Sequence, residues 1–395
     1  MSSDGAFLIL ADEAAGWRIG GLHLLDRLVL ALNEFVETRS NDEIVQVVIL
    51  WHPNVPSGSR WLPRHPRITR IRLTEALKTI PAGARVLHTR VFVRRNGLAE
   101  LLHKVPAVYI DEAPEETILW WNKLSTQFLN SLPPRSSQES WQLVQTSADF
   151  GMCERALLRN SAKSQDGIIS RFLNRPLSRW LSRFLLGYDI TPTAWTTCAF
   201  ALPVLAFICL SRGDYVSIVV GALIFQIYSV VDGCDGEIAR ATYQESERGG
   251  RVDDFLDMAG SILYVIGLGF GLFRSGSSFY LLEGLLCAAV IAVNEWSLRR
   301  VQLSAGPESE KLRGALYPRH RRLMAGAGTG KLNDNLMWWI LQFTKRDAAI
   351  LAFLILALLD LSPWILHLWL TVSAATLALS ARSSSGKGAT GQSRA

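Results

Sequence analysis

Residues 230–260 read VVDGCDGEIARATYQESERGGRVDDFLDMAG, and the stretches that lead into and out of them are apolar enough to cross a membrane. Asp232 and Asp235 are three residues apart and Asp253 and Asp257 four apart, so each pair shares one face of its helix. Four carboxylates therefore converge where one span ends and the next begins. A single Asp in a spanning helix costs roughly 2.5–3.5 kcal/mol on the gentler insertion scale, and like charges add to that. A positive partner is required, and the candidates are Arg240 and a divalent metal ion. Oxygen ligands without a neighbouring His or Cys set select a hard ion, Mg²⁺ or Mn²⁺, over zinc. Carboxylates holding such an ion grip phosphate oxygens. Gly233, Gly236 and Gly249 leave room for a bulky anionic ligand beside the backbone, and Ala239 allows close helix packing. The competing account is an intramembrane acidic cluster that binds a proton, sodium or calcium, as in a transport protein.

Working outward, six apolar segments follow one another: Thr193–Leu210, Tyr215–Val231, Phe255–Phe273, Phe279–Trp296, Ala348–Leu359 and Trp364–Leu379. At 1.5 Å per residue the first four nearly cover a hydrocarbon core of about 30 Å, and the last two are shorter. Arg299 to Arg346 carries ten Lys and Arg, whereas the turns 211–214, 274–278 and 360–363 carry only Arg212 and Arg274. The positive-inside rule then places both termini, the loop after span two and the long loop after span four in the cytoplasm, with the protein in the cell (inner) membrane.

Upstream, Asp166–Tyr188 (DGIISRFLNRPLSRWLSRFLLGY) repeats Arg171, Arg175, Arg179 and Arg183 every four residues beside Phe172, Leu173, Leu177, Trp180, Leu181 and Phe184. Such a helix lies in the headgroup plane, a soluble linker helix being the alternative. Earlier still, strands are expected at Ala6–Leu10, Ile44–Leu50, Ile68–Leu73, Arg85–Val93 and Ala107–Ile110. Helices are expected at Leu22–Val36, Leu98–Lys104 and Glu116–Leu129, an alternation that predicts a three-layer α/β domain. The expected organisation is an α/β domain over 1–160, an interfacial helix over 166–190, an all-α six-helix transmembrane domain over 191–380, and a disordered Ser/Gly-rich tail over 381–395.

Composition agrees with two unlike halves. Among 395 residues 49% are hydrophobic and 19% charged, which excludes a disordered chain. The net charge of +6, from 41 basic and 35 acidic residues, is too mild and scattered for a nucleic-acid surface. Five cysteines without CxxC spacing indicate neither a disulfide framework nor structural zinc. Met1–Leu10 lacks the basic start of a signal peptide, so the first domain is expected to stay in the cytoplasm.

Asp232, Asp235, Gly236, Ala239, Arg240, Gly249, Asp253 and Asp257 occupy every fixed position of D-x2-D-G-x2-A-R-x8-G-x3-D-x3-D, and on them the chain resembles the CDP-alcohol phosphotransferase family. The resemblance runs from about Asp166 to Ser380 and takes in Asn174-Arg175-Pro176, Thr191-Pro192 and Lys345-Arg346-Asp347. It implies a six-helix membrane enzyme, usually a homodimer, that moves a substituted phosphate from a CDP-linked donor to an alcohol acceptor and releases CMP. It further implies Asp232, Asp235 and Asp253 as metal ligands and Asp257 as the base, with possible metal contact. Gly236, Ala239, Arg240 and Gly249 would shape the cytidine diphosphate pocket. CDP-diacylglycerol, and so phospholipid synthesis, is the expected donor on base rates; CDP-inositol is the alternative. Arg299, Arg300, Lys311, Arg313, Arg319, Arg321 and Arg322 read as topogenic charge, or, at Arg299 and Arg300, as a site for the phosphate of the acceptor. Asp254 stands outside the pattern as a solvated neighbour.

Leu8–Arg18 (LILADEAAGWR), followed by Ile19-Gly20-Gly21, is similar to the L-x-A-G-x-G-x-R opening of sugar nucleotidyltransferases, which precede this membrane domain in bifunctional inositol phosphate cytidylyltransferase and phosphotransferase proteins. Arg18 replaces the second glycine, and Asp12 and Glu13 place negative charge where a triphosphate needs N–H groups and cations, so the domain reads as degenerate. His88, Asp111 and Glu112 read as remnants of a site or as surface polar residues.

Overall fold

The computed structural model describes residues 6–39, 44–75, 84–104, 117–132, 140–159, 167–188, 190–304 and 345–389. Two compact units result. One holds residues 1–161 with 183–189 and 240–243, and the other holds 162–182, 190–239 and 244–395.

In the first unit β1 (Ala6–Ala11) is flanked by β4 (Val45–Trp51) and, on its other side, β6 (Arg85–His88), with β5 (Ile71–Thr74) beyond β4. All pairings are parallel, in the order β5-β4-β1-β6. Every residue of AFLILA is buried, as a strand covered on both faces requires. Leu25, Leu28, Leu32 and Phe35 of α1 (Leu24–Arg39) share that core with Leu98 and Leu101 of α2 (Leu98–Lys104) and Trp121, Leu124 and Phe128 of α3 (Thr117–Ser131). Helix α1 begins two residues later than the periodicity predicts. Gly20 and Gly21, at φ +57° and +83°, turn β2 (Arg18–Ile19) back onto β3 (Leu22–His23), and this hairpin uses Leu22 and His23 first. Nor is Arg85–Val93 one strand: the chain leaves the sheet at Thr89, and β7 (Val91–Val93) pairs antiparallel with β8 (Trp141–Leu143). A further helix, α4 (Phe150–Arg159), was not expected. The strand expected at 107–110, and Asp111 and Glu112, lie outside the described residues.

His88 is a core residue, neither a site remnant nor a surface group. It is 1% exposed, shares a 3.0 Å hydrogen bond with Ser125 Oγ and stacks on Phe128. Burial first, and Arg90 second, push its pKa down to about 4, against the pull of Asp12.

In the second unit a short π-turn (Ser170–Asn174) leads into α5 (Arg175–Leu185). There follow α6 (Pro192–Ala199), α7 (Ala201–Leu210), α8 (Tyr215–Thr242), α9 (Glu247–Ser275), α10 (Phe279–Ser304), α11 (Arg346–Leu358) and α12 (Ser362–Ala389). Four stretches, 192–210, 215–242, 247–275 and 279–297, are long and apolar enough to span a membrane. The first is broken at Phe200 because Pro203 has no N–H to give the Ala199 carbonyl. Helix α8 runs eleven residues beyond its expected end, through the whole of DGCDGEIARAT. Helix α12 continues to Ala389, where composition predicts a disordered tail from residue 381. Extending an existing helix costs far less than nucleating one.

Helix α9 is the packing centre of this unit. A Cβ on Gly267 would lie 2.9 Å from the Phe207 ring, one on Gly271 would collide with the Leu210 carbonyl, and Gly269 meets Gly284 of α10. Three helices thus meet at backbone distance, the usual device where lipid offers no hydrophobic drive.

The first turns of α5 face inward with their polar side. Glu237 of α8 is fully buried and accepts from Arg175 Nη1 (3.1 Å), Ser178 Oγ (2.9 Å) and Ser182 Oγ (2.8 Å). Arg175 is therefore no member of a headgroup-facing basic row, because a buried carboxylate on α8 claims it. The aromatic side points outward, with Phe172 and Trp180 each 75% exposed.

Two outcomes are expected. Arg175→Met should leave Glu237 as an unpaired buried charge and destabilise the purified protein by roughly 3–5 kcal/mol, and the double change Arg175→Met with Glu237→Leu should recover most of that. Thermal unfolding in detergent measures both. His88 is neutral in the folded state and gains a proton on unfolding below its unfolded value of 6.5. The stability it contributes is thus complete above pH 6.5 and is lost as pH falls towards 4, by up to about 3 kcal/mol. His88→Gln should flatten that part of the melting-temperature profile, and an unchanged slope would contradict the assignment.

Candidate functional site

Asp232, Asp235, Gly236, Ala239 and Arg240 recur at helical spacing along α8, as do Gly249, Asp253 and Asp257 along α9. Ser246 caps α9 by accepting from Gly249 N–H (3.0 Å), which fixes the start of the helix one turn ahead of Asp253. A Cβ at Gly249 would sit 3.1 Å from the capping hydroxyl and 3.5 Å from Thr193 Oγ1 of α6.

Carboxylate oxygens of Asp232, Asp253 and Asp257 lie within 4.8 Å of one another. The fourth carboxylate is turned elsewhere: Asp235, 8% exposed, accepts from Thr196 Oγ1 of α6 (2.5 Å) and from the Gly236 N–H. Asp254 is exposed. A cation stands against the cluster: Arg346, at the first position of α11. Its Nη1 bonds Asp257 Oδ2 and lies 3.9 Å from Asp232 Oδ2, and its guanidinium stands 5.7 Å from the Tyr228 ring centre. Tyr228, one turn before Asp232 on α8, donates to Asp257 Oδ1 (2.9 Å).

Three carboxylates drawn this close between two helices repel one another. Asp232 Oδ1 is buried with no hydrogen-bond partner among the described residues. An all-oxygen donor set and an orphaned buried oxygen together fit a hard divalent cation. Tyr228, Thr196 and Arg346 were not singled out as site residues by sequence. Tyr228 carries a signal, its i,i+4 spacing to Asp232, and Arg346 stands in the Lys345-Arg346-Asp347 feature of the resemblance without a role at the site. Arg299 and Arg300 fall in the last turns of α10, but their side chains lie outside the described residues, as do Lys311, Arg313, Arg319, Arg321 and Arg322.

The first unit has a second acidic locus, at the carboxyl ends of β1 and β6. Asp12 Oδ1 accepts from Ala14 N–H (3.0 Å) and Thr89 Oγ1 (3.1 Å), and its Oδ2 accepts from Arg90 Nε (2.5 Å). Glu13 Oε1 accepts from Arg90 Nη2 (3.3 Å). The two acidic residues that interrupt the glycine-rich opening are held by an arginine of the same unit.

Residues 189–311 match the CDP-alcohol phosphatidyltransferase family. Three curated relatives, each named "Bifunctional IPC transferase and DIPP synthase", align with part of the chain. The Archaeoglobus fulgidus protein is 38% identical over 128 residues, 32% of this chain and 25% of that protein. The Thermococcus kodakarensis protein is 33% identical over 136 residues, 34% of this chain and 29% of that protein. The Rubrobacter xylanophilus protein is 34% identical over 157 residues, 39% of this chain and 35% of that protein. The chain thus spans about a quarter to a third of these relatives' lengths. All eight signature positions, and the aspartate triad built from three of them, fall within the matched segment, so residues 189–311 form a domain of the CDP-alcohol phosphatidyltransferase family.

Proposed function

We propose that the chain transfers a substituted phosphate from a CDP-linked donor to an alcohol acceptor at the cytoplasmic surface of a membrane, releasing CMP. The observation that carries this reading is the aspartate triad on two adjoining spans, inside the segment that matches the family. Asp232, Asp253 and Asp257 would hold Mg²⁺ or Mn²⁺, which supplies charge neutralisation for the donor's diphosphate. Asp235, held by Thr196, is the fourth signature carboxylate and a candidate ligand by resemblance. Gly236, Ala239, Arg240 and Gly249 are assigned to the donor's cytidine diphosphate, with Arg240 a cation for its phosphates.

Asp257 takes the proton of the acceptor hydroxyl while that oxygen bonds to the phosphorus bearing the donor's substituent. The bond that breaks joins this phosphorus to the bridging oxygen of CMP, which leaves with the electron pair. Tyr228 and Arg346 fix the Asp257 carboxylate on its two oxygens before the acceptor arrives, which lowers the reorganisation needed in the reaction.

Two donors remain in play. CDP-diacylglycerol would make a phospholipid. CDP-inositol would make a phosphodiester with a polyol, and the printed name of the relatives favours this second reading. Arg299 and Arg300 are kept as candidates for an acceptor phosphate. The domain is proposed to use six spans, to place both termini in the cytoplasm on the strength of the basic loop 299–346, and to act as a homodimer. The first unit is proposed to be a degenerate nucleotidyltransferase relative, in which Arg90 occupies the acidic residues of the loop.

Incubating membranes with labelled CDP-diacylglycerol or CDP-inositol and a panel of alcohols, with products identified by mass, tests the reaction and distinguishes the donors. Asp257→Asn should lower CMP release by roughly a hundred- to ten-thousand-fold while donor binding persists. Near-normal turnover would remove Asp257 from the mechanism. Exhaustive chelation should abolish turnover, and Mg²⁺ or Mn²⁺ should restore it; a cation-transport protein would instead be indifferent to CDP compounds.

A further inference from the structure

We propose that the crevice at the carboxyl end of the first unit's sheet binds an uncharged, hydroxyl-bearing six-membered ring, a sugar or a cyclic polyol, and discriminates against its phosphorylated forms. The inference is independent of the transfer reaction. In the order β5-β4-β1-β6 the chain moves outward from β1 in one direction and then returns to its other side, which makes the carboxyl end of β1 the place where parallel sheets take ligands. A cavity of about 570 Å³ opens there, within the usual range for small-molecule sites.

The cavity is bounded by the rings of Trp51, His52, Trp61 and Trp121. The rings of Trp51 and Trp61 lie 5.2 Å apart, and those of His52 and Trp121 lie 4.6 Å apart, so two aromatic pairs line the wall. Such a wall suits the C–H faces of a ring, and Asn54 and Ser59 add neutral hydrogen-bonding groups at its border.

Charge decides against phosphate. Arg90 is the cation in the cavity lining, and each of its three nitrogens is already used: Nε on Asp12, Nη2 on Glu13 and Nη1 on the Gln145 carbonyl (3.3 Å). A phosphate would meet two carboxylates against one guanidinium, so the crevice offers it no net positive charge. Hydroxyl groups have the opposite requirement, since they donate to carboxylates. Glu13, whose side chain is 75% exposed, is placed to accept from them.

The test uses the full chain in lipid nanodiscs and saturation-transfer NMR with four probes: myo-inositol, methyl glucoside, glucose 1-phosphate and CTP. At least one uncharged probe should bind saturably, and which one identifies the ring as polyol or sugar. Glu13→Ala, a change outside the core, should weaken that binding about tenfold, the usual loss for a hydrogen bond to a charged group. Asp232→Ala, in the other unit, should leave it unchanged. Failure of both uncharged probes to bind, binding insensitive to Glu13→Ala, or a Glu13-dependent preference for glucose 1-phosphate or CTP would each overturn the proposal.

Discussion

Three carboxylates whose oxygens approach within 4.8 Å, on helices of membrane-spanning length, set the terms for the rest of the second unit. Like charges that close repel unless cations stand among them, and an apolar surrounding strengthens both the repulsion and its remedy. Arg346 supplies part of that remedy, bonding Asp257 and lying 3.9 Å from Asp232. A rigid frame is needed to keep such a cluster from separating. The frame consists of the Ser246 cap, the Tyr228 hydroxyl, the Thr196 grip on Asp235 and the glycine contacts of α9. Each acts on a different side of the aspartates, so none of them replaces another.

Glu237 extends the same logic to the opposite face of α8. Its burial is offset by Arg175, Ser178 and Ser182, so these three polar residues of α5 are turned inward, while Trp180 of α5 and Phe172 just before it are left exposed. A buried ion pair between α5 and the signature helix gives little net stability, yet it fixes one register, since any other would leave Glu237 unpaired.

Much of this was legible in the sequence where local chemistry is decisive. The spacings of Asp232, Asp235, Asp253 and Asp257 require helices, and apolar runs of their length require spans. The buried strand β1 follows from an unbroken run of apolar residues. What escaped depended on distant partners. Period alone assigned Arg175 to a basic row, because nothing local shows that Glu237, 62 residues later, would claim it. The same holds for Arg346, 89 residues from Asp257, and for Thr89 and Arg90, whose turn towards Asp12 ends a strand that propensity would continue. His88 looked like a polar remnant because its apolar surroundings come from α3.

The two acidic loci differ in how completely the protein satisfies them, and that difference decides what each can bind. At the aspartate triad three carboxylates share a small space and a buried oxygen of Asp232 has no hydrogen-bond partner among the described residues, an arrangement that suits a divalent cation. At the β1 crevice Asp12 accepts from a backbone N–H, a hydroxyl and a guanidinium, and Glu13 shares the same guanidinium. A carboxylate satisfied in this way gains little from a metal, and a guanidinium that already faces two carboxylates offers a phosphate no net positive charge. The two loci differ in the hydrogen bonds left open, which counts of acidic residues, alike in kind at both places, do not distinguish.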